Sequence, residues 1–328
     1  MNNADIVIVN WNSGKLLVTV LKRLVNQFTP PSQIWLLDNA SSDGSAGGIQ
    51  SWQQVRFIQE SNNLGFSKGN NIALLHSDSE FVGLLNPDAF PEPDWLEKLL
   101  QAAADYPDAA AFGSRQLCHH DPSLLDGIGD TYHLSGLVWR DRHAVPQTSA
   151  DLTPHEIFSP CAAAALYRRS ALEEIGFFDE DYFCYVEDVD LGFRLRLAGY
   201  KAMYVPDAVV HHVGSATTGG QQSDFSVYHG HRNLVWTYVK NMPGILFWAL
   251  LPLHLALNVG SILWFTARGQ GKVILKAKWD AIKGLPNMWR KRRQIQKNRK
   301  ASIADIWRVL DKRVIPGNLM ARFRKLPP

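Results

Sequence analysis

The sequence predicts an α/β protein built on a mostly parallel sheet, and three observations support this fold class. Short apolar runs typical of buried strands alternate with segments typical of helices over the first hundred residues. Several of these runs stop at an acidic residue, and ligands bind at the carboxyl ends of strands in open α/β sheets. With 328 residues, 46% hydrophobic and 20% charged, the chain is long enough to bury a large core.

The predicted elements follow one another at the spacing of βαβ units. Strands are predicted at 4–10, 33–38, 55–59, 81–85 and 109–112, with helices at 14–25, 69–75 and 93–105. Residues 119–155, rich in Asp, His, Gly and Pro, are interpreted as a long functional loop or a small antiparallel insert. Strand patterns return at 161–167, 202–205 and 208–211, and helical patterns at 169–175 and 188–198.

The charge of the chain is divided unevenly. Residues 1–267 carry 16 Lys and Arg against 28 Asp and Glu, a net of −12, whereas residues 268–328 carry 18 against 3, a net of +15. Such a chain is an acidic body with a basic tail, and the tail needs an anionic partner. We expect two parts, 1–240 as the α/β domain and 241–328 as an apolar and then basic helical region.

Residues 241–267 contain no formal charge, which allows a membrane span, although Pro252, His254 and Asn258 weaken that interpretation. Trp279 and Trp289 are interleaved with the Lys and Arg residues that follow. An apolar segment beside a basic aromatic one is typical of an anchor on an anionic membrane surface. A pair of core helices with a solvated basic face is the alternative, and the acidic body disfavours nucleic acid as a partner.

The N-terminal residues and the cysteines point to the cytoplasm. The chain begins with an apolar strand and lacks the basic region and cleavage site of a signal peptide. Cys118, Cys161 and Cys184 have no metal-ligand or disulfide-framework spacing, which fits a reducing compartment. We therefore expect the protein at the cytoplasmic face of the inner membrane, peripheral, monotopic or with a single span.

The run Leu85-Asn86-Pro87-Asp88 is the first candidate site. An apolar strand stops at Asn86, and Pro87 ends the strand ladder and holds Asp88 at the strand's carboxyl end. A carboxylate in that position suits a divalent cation that grips a diphosphate. Asn-Pro-Asp is also ordinary turn chemistry, and the run alone does not decide between the two.

Three further groups of residues carry candidate chemistry. Asp38 ends the second strand in a turn of small polar residues, where it can meet a nucleobase or ribose or cap a helix. The Asn- and Gly-rich residues 62–71 offer backbone N–H groups to an anion but match neither a dinucleotide nor a P-loop motif. Crowding among the acids at 187, 188 and 190 raises the pKa of at least one of them, which can then take a proton from a hydroxyl nucleophile. The alternative is that these acids cap a helix, with Arg194 as a partner. The pair His211-His212 can complete a metal site with Asp88.

Seven short pieces in order resemble glycosyltransferase family 2, in its bacterial rhamnosyltransferase-like branch. They are Ile8-Val9-Asn10-Trp11-Asn12, Leu37-Asp38-Asn39-Ala40-Ser41-Ser42-Asp43-Gly44-Ser45, Asn63-Leu64-Gly65-Phe66 with Gly69-Asn70-Asn71, Leu85-Asn86-Pro87-Asp88-Ala89, Ile175-Gly176-Phe177-Phe178-Asp179-Glu180, Tyr185-Val186-Glu187-Asp188-Val189-Asp190-Leu191 and His212-Val213-Gly214-Ser215. The resemblance covers roughly residues 4 to 240.

The resemblance implies a GT-A fold, a nucleotide-binding sheet merged with an acceptor-binding half, and an inverting transfer from a nucleotide-sugar donor. Asp188 is then the catalytic base, Asp88 and His212 or His211 bind Mg²⁺ or Mn²⁺, and Glu187 and Asp190 lie on the acceptor side. The implied donor-binding residues are Val9, Asn10, Asp38, Asn39, Gly65, Asn71 and Asn86. Asn86 replaces the first Asp of the family's usual Asp-x-Asp, which predicts weaker metal binding.

The branch also implies a substrate class. We expect rhamnose or another deoxysugar, from a dTDP- or UDP-donor, to be moved onto a lipid-linked or polysaccharide acceptor in bacterial surface glycan synthesis. The alternative is a non-catalytic protein that binds a nucleotide sugar or glycan with the same fold.

Overall fold

The computed structural model describes residues 3–214 and 223–313 and has an α/β architecture with helices on both faces of a mixed sheet. The strands are β1 (Ala4–Asn10), β2 (Ile34–Asp38), β3 (Val55–Gln59), β4 (Phe81–Leu85), β5 (Ala89–Pro91), β6 (Ala109–Cys118), β7 (Asp121–Gly127), β8 (Asp130–Tyr132), β9 (Val138–Arg140), β10 (Val145–Pro146), β11 (His155–Glu156), β12 (Ala164–Arg168) and β13 (Lys201–His212). The helices are α1 (Leu16–Val25), α2 (Gly65–His76), α3 (Trp95–Asp105), α4 (Arg169–Ile175), α5 (Glu187–Leu197), α6 (Asp224–Asn241), α7 (Gly244–Ala267), α8 (Gly271–Lys297) and α9 (Ile303–Val309).

The sheet has a parallel half and a mixed half. Strands β3, β2, β1 and β4 are parallel neighbours, and β12 runs antiparallel between β4 and β6. Strand β13 is parallel to β6 and antiparallel to β5. In the register of β1 with β2, Asn10 lies beside Asp38, so the polar residues that end these strands share one edge of the sheet.

Alternating side chains of the buried strands supply two apolar layers. One face of the sheet packs on α1 and α3, and the other packs on α2, α4 and α5. A third cluster joins β8 and α5 to helices α6 to α9. The boundary predicted at 240/241 falls just before the last residue of α6, and the division into two parts stays a prediction.

Most of the predicted elements are present, and one agreement and two differences are informative. Residues 119–155 form an antiparallel insert, as the second of the two interpretations had it. The two strands predicted at 202–205 and 208–211 are one strand, β13, with an irregularity between Val205 and Val209. Helix α6 was not predicted, because Asn233, Thr237 and Lys240 are buried on it and disguise its amphipathic pattern.

Among the described residues, one helix is long and apolar enough to cross a membrane. It is α7, which coincides with the uncharged segment found in the sequence. Within an 18-residue apolar stretch of this helix, 28% of the residues are buried in the structure.

Candidate active site

Asp88 and His212 meet where β4 ends. Asn86 and Ala89 close a turn after β4, with Ala89 N donating to Asn86 O at 3.1 Å. In the register of β5 with β13, Ala89 lies opposite His212, which brings the imidazole to Asp88. Nε2 of His212 is 3.4 Å from Oδ1 of Asp88, is buried and makes no hydrogen bond. Nδ1 of His212 is 2.7 Å from Oδ2 of Asp126.

His211 lies outside this cluster. Adjacent residues of a strand point to opposite faces of the sheet, so the two histidines diverge. Nε2 of His211 is 2.9 Å from Oε1 of Glu92. Of the two predicted metal-ligand histidines, the structure therefore brings His212 to Asp88 and directs His211 elsewhere.

The charges around His212 hold both of its acidic neighbours ionised. Burial alone would raise the pKa of Asp88, but His212 outweighs it and lowers that pKa. Burial likewise opposes ionisation of Asp126, but Arg140 and two histidines hold its pKa far below the usual range. Burial would lower the pKa of His212, but Asp126 and Asp88 outweigh it and raise the pKa to about 9.

A second acidic cluster forms at the start of α5. Asp188 accepts hydrogen bonds from Ala162 N at 3.2 Å and from Val189 N at 2.9 Å, and it remains half-buried. Ligand atoms of Asp130, Cys161 and Asp188 lie within 4.8 Å of one another. Oδ2 of Asp130 and Oε2 of Glu187 are buried without a hydrogen-bond partner. Burial raises the pKa of Asp188, and burial together with the Asp188 charge raises the pKa values of Asp130 and Glu187.

Arg140 of β9 links the two clusters. It donates through Nη1 to Asp126 and through Nη2 to Sγ of Cys161, 2.9 Å away. Its guanidinium places a fixed positive charge against the Cys161 thiol, and burial raises the thiol pKa. A neutral thiol beside a cation is a poor metal ligand, so the Asp130–Cys161–Asp188 group does not fit a metal ion. Asp126, Asp130 and Arg140 come from the 119–155 insert, and their roles were not predicted from the sequence.

The predicted donor-binding residues lie along the carboxyl edge of the parallel strands. Asp38 accepts from Asn10 Nδ2 at 2.7 Å, Ser41 N at 3.1 Å and Gln59 Nε2 at 2.7 Å, so the strand-end residues brace the turn at 39–45. Asn39 accepts from Leu64 N at 2.8 Å, which ties this turn to the start of α2.

The other predicted donor-side residues are placed differently. Gly65 has a φ of +82°, and a Cβ there would overlap Phe183, so only glycine allows this approach. Val9 lies beneath Gly69 of α2, and Asn86 is half-buried beside Ala163. Asn71 is instead engaged in the fold, since it exchanges hydrogen bonds with the backbone of Phe178.

The backbone that leads into Asp188 is strained and held by α6. Phe183, Tyr185 and Val186 have φ values of +65°, +65° and +69°, which are costly for side chains with a Cβ. Nδ2 of the fully buried Asn233 lies within 3.0 Å of the carbonyl oxygens of Tyr182, Cys184 and Tyr185. Helix α6 therefore fixes the turn that delivers the acids of α5.

Asp190, predicted on the acceptor side, lies in a buried ionic network. Its carboxylate accepts from Arg194 Nε at 2.8 Å and from Asn241 Nδ2 at 2.7 Å, and Lys240 Nζ is 2.8 Å away. Lys240 and Arg194 outweigh burial and lower the pKa of Asp190. The structure thus pairs Asp190 with Arg194, the partner that the capping interpretation expected. Glu187 and Asp188 instead face the second cluster.

Carboxylates and a histidine converge at the strand ends of this sheet, which is where α/β proteins bind their ligands. A family model for glycosyl transferase family 2 matches residues 5–176, and the chain belongs to this family. The chain is therefore a glycosyltransferase.

Two named relatives and one solved structure are similar to the chain. An N-acetylglucosaminyl-diphospho-decaprenol L-rhamnosyltransferase of Mycobacterium tuberculosis is 31% identical over 255 residues, covering 68% of this chain and 80% of its own length. The O-antigen chain rhamnosyltransferase RfbN of Salmonella typhimurium is 26% identical, covering 63% of this chain and 65% of its own. The mannosyltransferase PcManGT from Pyrobaculum calidifontis, solved with GDP-Man and Mn²⁺, has a TM-score of 0.56 at 17% identity, covering 93% of this chain and 87% of its own. This likeness confirms the predicted GT-A type of fold.

Proposed function

We propose that this glycosyltransferase moves rhamnose or another deoxysugar, with inversion, from a dTDP- or UDP-donor onto a lipid-linked or polysaccharide acceptor in bacterial surface glycan synthesis. The named relatives are rhamnosyltransferases of a decaprenol-linked glycan and of an O-antigen, which supports the sugar and the acceptor class. The observation that carries the proposal is the pairing of one site suited to a cation with a separate cluster suited to a base.

Asp88 and His212 fit a divalent cation, Mg²⁺ or Mn²⁺. The buried Nε2 of His212 has no hydrogen-bond partner and lies 3.4 Å from a carboxylate oxygen of Asp88. Asp126 on Nδ1 fixes the ring, as a carboxylate behind a metal-binding histidine does, and a cation would bind Nε2 in place of the proton that the raised pKa of His212 keeps there. A bound cation would neutralise the donor diphosphate. Asn86 contributes no charge here, so the site has a single carboxylate from the Asn-Pro-Asp run.

Asp188 is proposed as the base. The acceptor hydroxyl oxygen forms a bond to the anomeric carbon of the donor sugar, and the bond from that carbon to the diphosphate oxygen breaks. The diphosphate leaves with the bonding electrons, and Asp188 takes the hydroxyl proton. Burial raises the pKa of Asp188, which makes it a better proton acceptor than an ordinary aspartate. Arg140 keeps positive charge between this cluster and Asp126.

The donor is proposed to bind along the edge formed by Val9, Asn10, Asp38, Asn39, Gly65 and Asn86. The braced turn at 39–45 gives a preformed wall for the nucleoside, which reduces the entropy lost on binding. Asn71 and Asp190 are engaged in the fold, and we assign them positioning rather than contact with substrate.

We also propose that residues 1–240 form the catalytic part and that 241–328 hold the protein to the cytoplasmic face of the inner membrane. The support is the apolar helix α7 and the basic charge that follows it. A lipid-linked acceptor would lie at that surface.

A donor screen by calorimetry, with and without Mn²⁺, tests the proposal. We expect one nucleotide sugar to bind, more tightly with Mn²⁺, and to be turned over when a lipid-linked acceptor is added. Binding without turnover on any acceptor would instead favour the non-catalytic alternative. No binding of any nucleotide sugar would contradict both.

A further inference from the structure

Helix α7 exposes apolar side chains and buries polar ones, which is the reverse of a surface helix in a soluble protein. Ile245, Trp248 and Leu263 are 68%, 64% and 67% exposed, and the rest of the exposed face is also apolar. It consists of Ala249, Pro252, Leu253, Leu255, Ala256, Val259, Gly260, Trp264 and Ala267, with Gly244 and Thr266 at the helix ends. The polar side chains of His254 and Ser261 are buried on the opposite face. An apolar outer face of this length indicates a non-aqueous environment.

The buried face attaches α7 to the rest of the chain along its length. Near the start of the helix, Phe247 packs on Tyr238 of α6. In the middle, Nδ1 of His254 donates to Ser135 O at 2.8 Å, and the ring stacks on Tyr238 with centroids 4.0 Å apart. Near the end, Phe265 contacts His231, with ring centroids 4.8 Å apart. A helix held to the folded domain at both ends and in the middle lies along that domain, and this arrangement favours a helix on the bilayer surface over one that crosses it surrounded by lipid.

Helix α8 presents a mixed basic and aromatic face beside it. Its exposed residues are cations and apolar groups with one glutamine: Lys272, Leu275, Lys276, Trp279, Ile282, Lys283, Pro286, Trp289, Arg290, Arg293, Gln294 and Lys297. Its one acid, Asp280, is half-buried and accepts from Tyr228 at 2.8 Å. Trp248 of α7 and Trp289 of α8 both pack on Phe247, at 4.9 and 5.7 Å between ring centroids, so the two faces meet.

We propose that the exposed faces of α7 and α8 form one docking surface for an anionic phospholipid bilayer. Helix α7 lies in the plane of one leaflet with its apolar face among the acyl chains, and the cations of α8 lie at the headgroups. The occupant is a membrane because an apolar face with a basic aromatic border matches the layers of an anionic leaflet, and because 268–328 carry +15. The proposal rests on the proposed function, because it specifies how the membrane attachment proposed there for 241–328 is made.

Vesicle flotation of the full chain tests the surface. We expect strong binding to vesicles of phosphatidylcholine with phosphatidylglycerol, at least about tenfold weaker binding to pure phosphatidylcholine, and a decrease with added salt. The double variant Trp248→Ser/Leu263→Ser should reduce binding about tenfold or more, because it removes two large apolar side chains from the apolar face. The matched control Phe28→Ser/Leu75→Ser, which changes two exposed apolar residues elsewhere, should bind as the parent does.

The depth of three labels distinguishes lying in the plane from crossing. Ile245→Cys, Ala256→Cys and Ala267→Cys each carry a fluorophore on the exposed face of α7, and the signal of the labelled parent is subtracted. Quenching by lipids with nitroxides at known depths should place all three at similar, shallow depths. A deep label at 256 with shallow ones at 245 and 267 would overturn the in-plane arrangement.

Three other results would overturn the docking surface itself. They are no binding to anionic vesicles, equal binding by the Trp248→Ser/Leu263→Ser variant, and a dimer in solution that this variant dissociates, which would make a second copy the occupant. Nucleotide-sugar binding in the absence of lipid is measured on the same samples. Its loss would contradict the proposed transfer reaction, whereas lost vesicle binding alone would contradict the docking surface and the membrane attachment of 241–328 but not the transfer.

Discussion

The two acidic clusters of the site have opposite electrostatics although both are buried. Around His212, Asp88 and Asp126 are paired with cations, and their pKa values are lowered. Around Asp188, the carboxylates crowd one another with few partners, and their pKa values are raised. Burial acts in the same direction in both places, so the difference comes from the neighbours.

That difference divides the chemistry between the clusters. Carboxylates that stay ionised suit a cation, and a carboxylate that readily gains a proton suits a base. Arg140 contacts both sides and makes the division sharper, since its charge is shared between Asp126 and Cys161. The variants that test this division either remove a functional group from one cluster or change the charge near it.

Removing the base should have the largest effect. We expect Asp188→Asn to lower kcat about 10²–10⁴-fold, because an amide cannot accept the hydroxyl proton. Donor binding, measured by calorimetry with Mn²⁺, should stay close to that of the parent. Asp78→Asn, on a fully exposed aspartate, is the matched control and should keep full activity. Full transfer by the Asp188→Asn variant would contradict the base assignment.

Removing Arg140, which links the two clusters, should lower the free energy of unfolding. Arg140→Met leaves Asp126 buried with less positive charge, and loss of one partner of a buried ion pair costs about 3–5 kcal/mol. The free energy of unfolding from urea titration measures the cost. Arg23→Met breaks the exposed pair with Glu92 and should cost no more than about 1 kcal/mol. Equal losses in the two variants would show that the buried pair of Arg140 contributes no more to stability than the exposed pair of Arg23.

The neighbouring histidines offer a matched test of the cation side. We expect His212→Gln to weaken Mn²⁺-dependent donor binding by at least about tenfold, since it removes a ligand that Asp126 orients. His211→Gln should leave that binding unchanged, because His211 faces Glu92. Calorimetry at several Mn²⁺ concentrations separates the two, and the opposite ranking would make His211 the ligand.

The dependence of kcat on pH tests the assignment of Asp188 as the base. Asp188 acts as a base only when ionised, and its raised pKa moves the loss of activity on acidification to a higher pH than for an ordinary aspartate. Arg140 lowers the pKa of Asp188, so Arg140→Met should move this acidic limb of kcat to still higher pH. A limb that stays in place or moves to lower pH in the variant would contradict the influence of Arg140 on the base.

The sequence indicated which strand ends lie together but not the residues that the insert adds. Asp38 ends β2 and Asp88 follows β4, both strands have clear apolar runs, and parallel strands bring their carboxyl ends together. Asp126, Asp130 and Arg140 lie on short strands of an antiparallel insert that has no strong periodicity. The choice between His211 and His212 depends on which face of β13 each occupies, and an irregularity earlier in that strand hides this from the pattern.

The smallest expected effect comes from adding a charge that the Asn-Pro-Asp run lacks. Asn86→Asp adds a second carboxylate at the turn that carries Asp88, and affinity for a hard cation grows with the number of charged ligands, here by about tenfold. Mn²⁺ titration by calorimetry measures the gain, with Asn86→Ala as the control that changes the side chain without adding charge. Unchanged Mn²⁺ affinity in Asn86→Asp would show that residue 86 faces away from the cation, and the weak site would then need another cause than the missing charge.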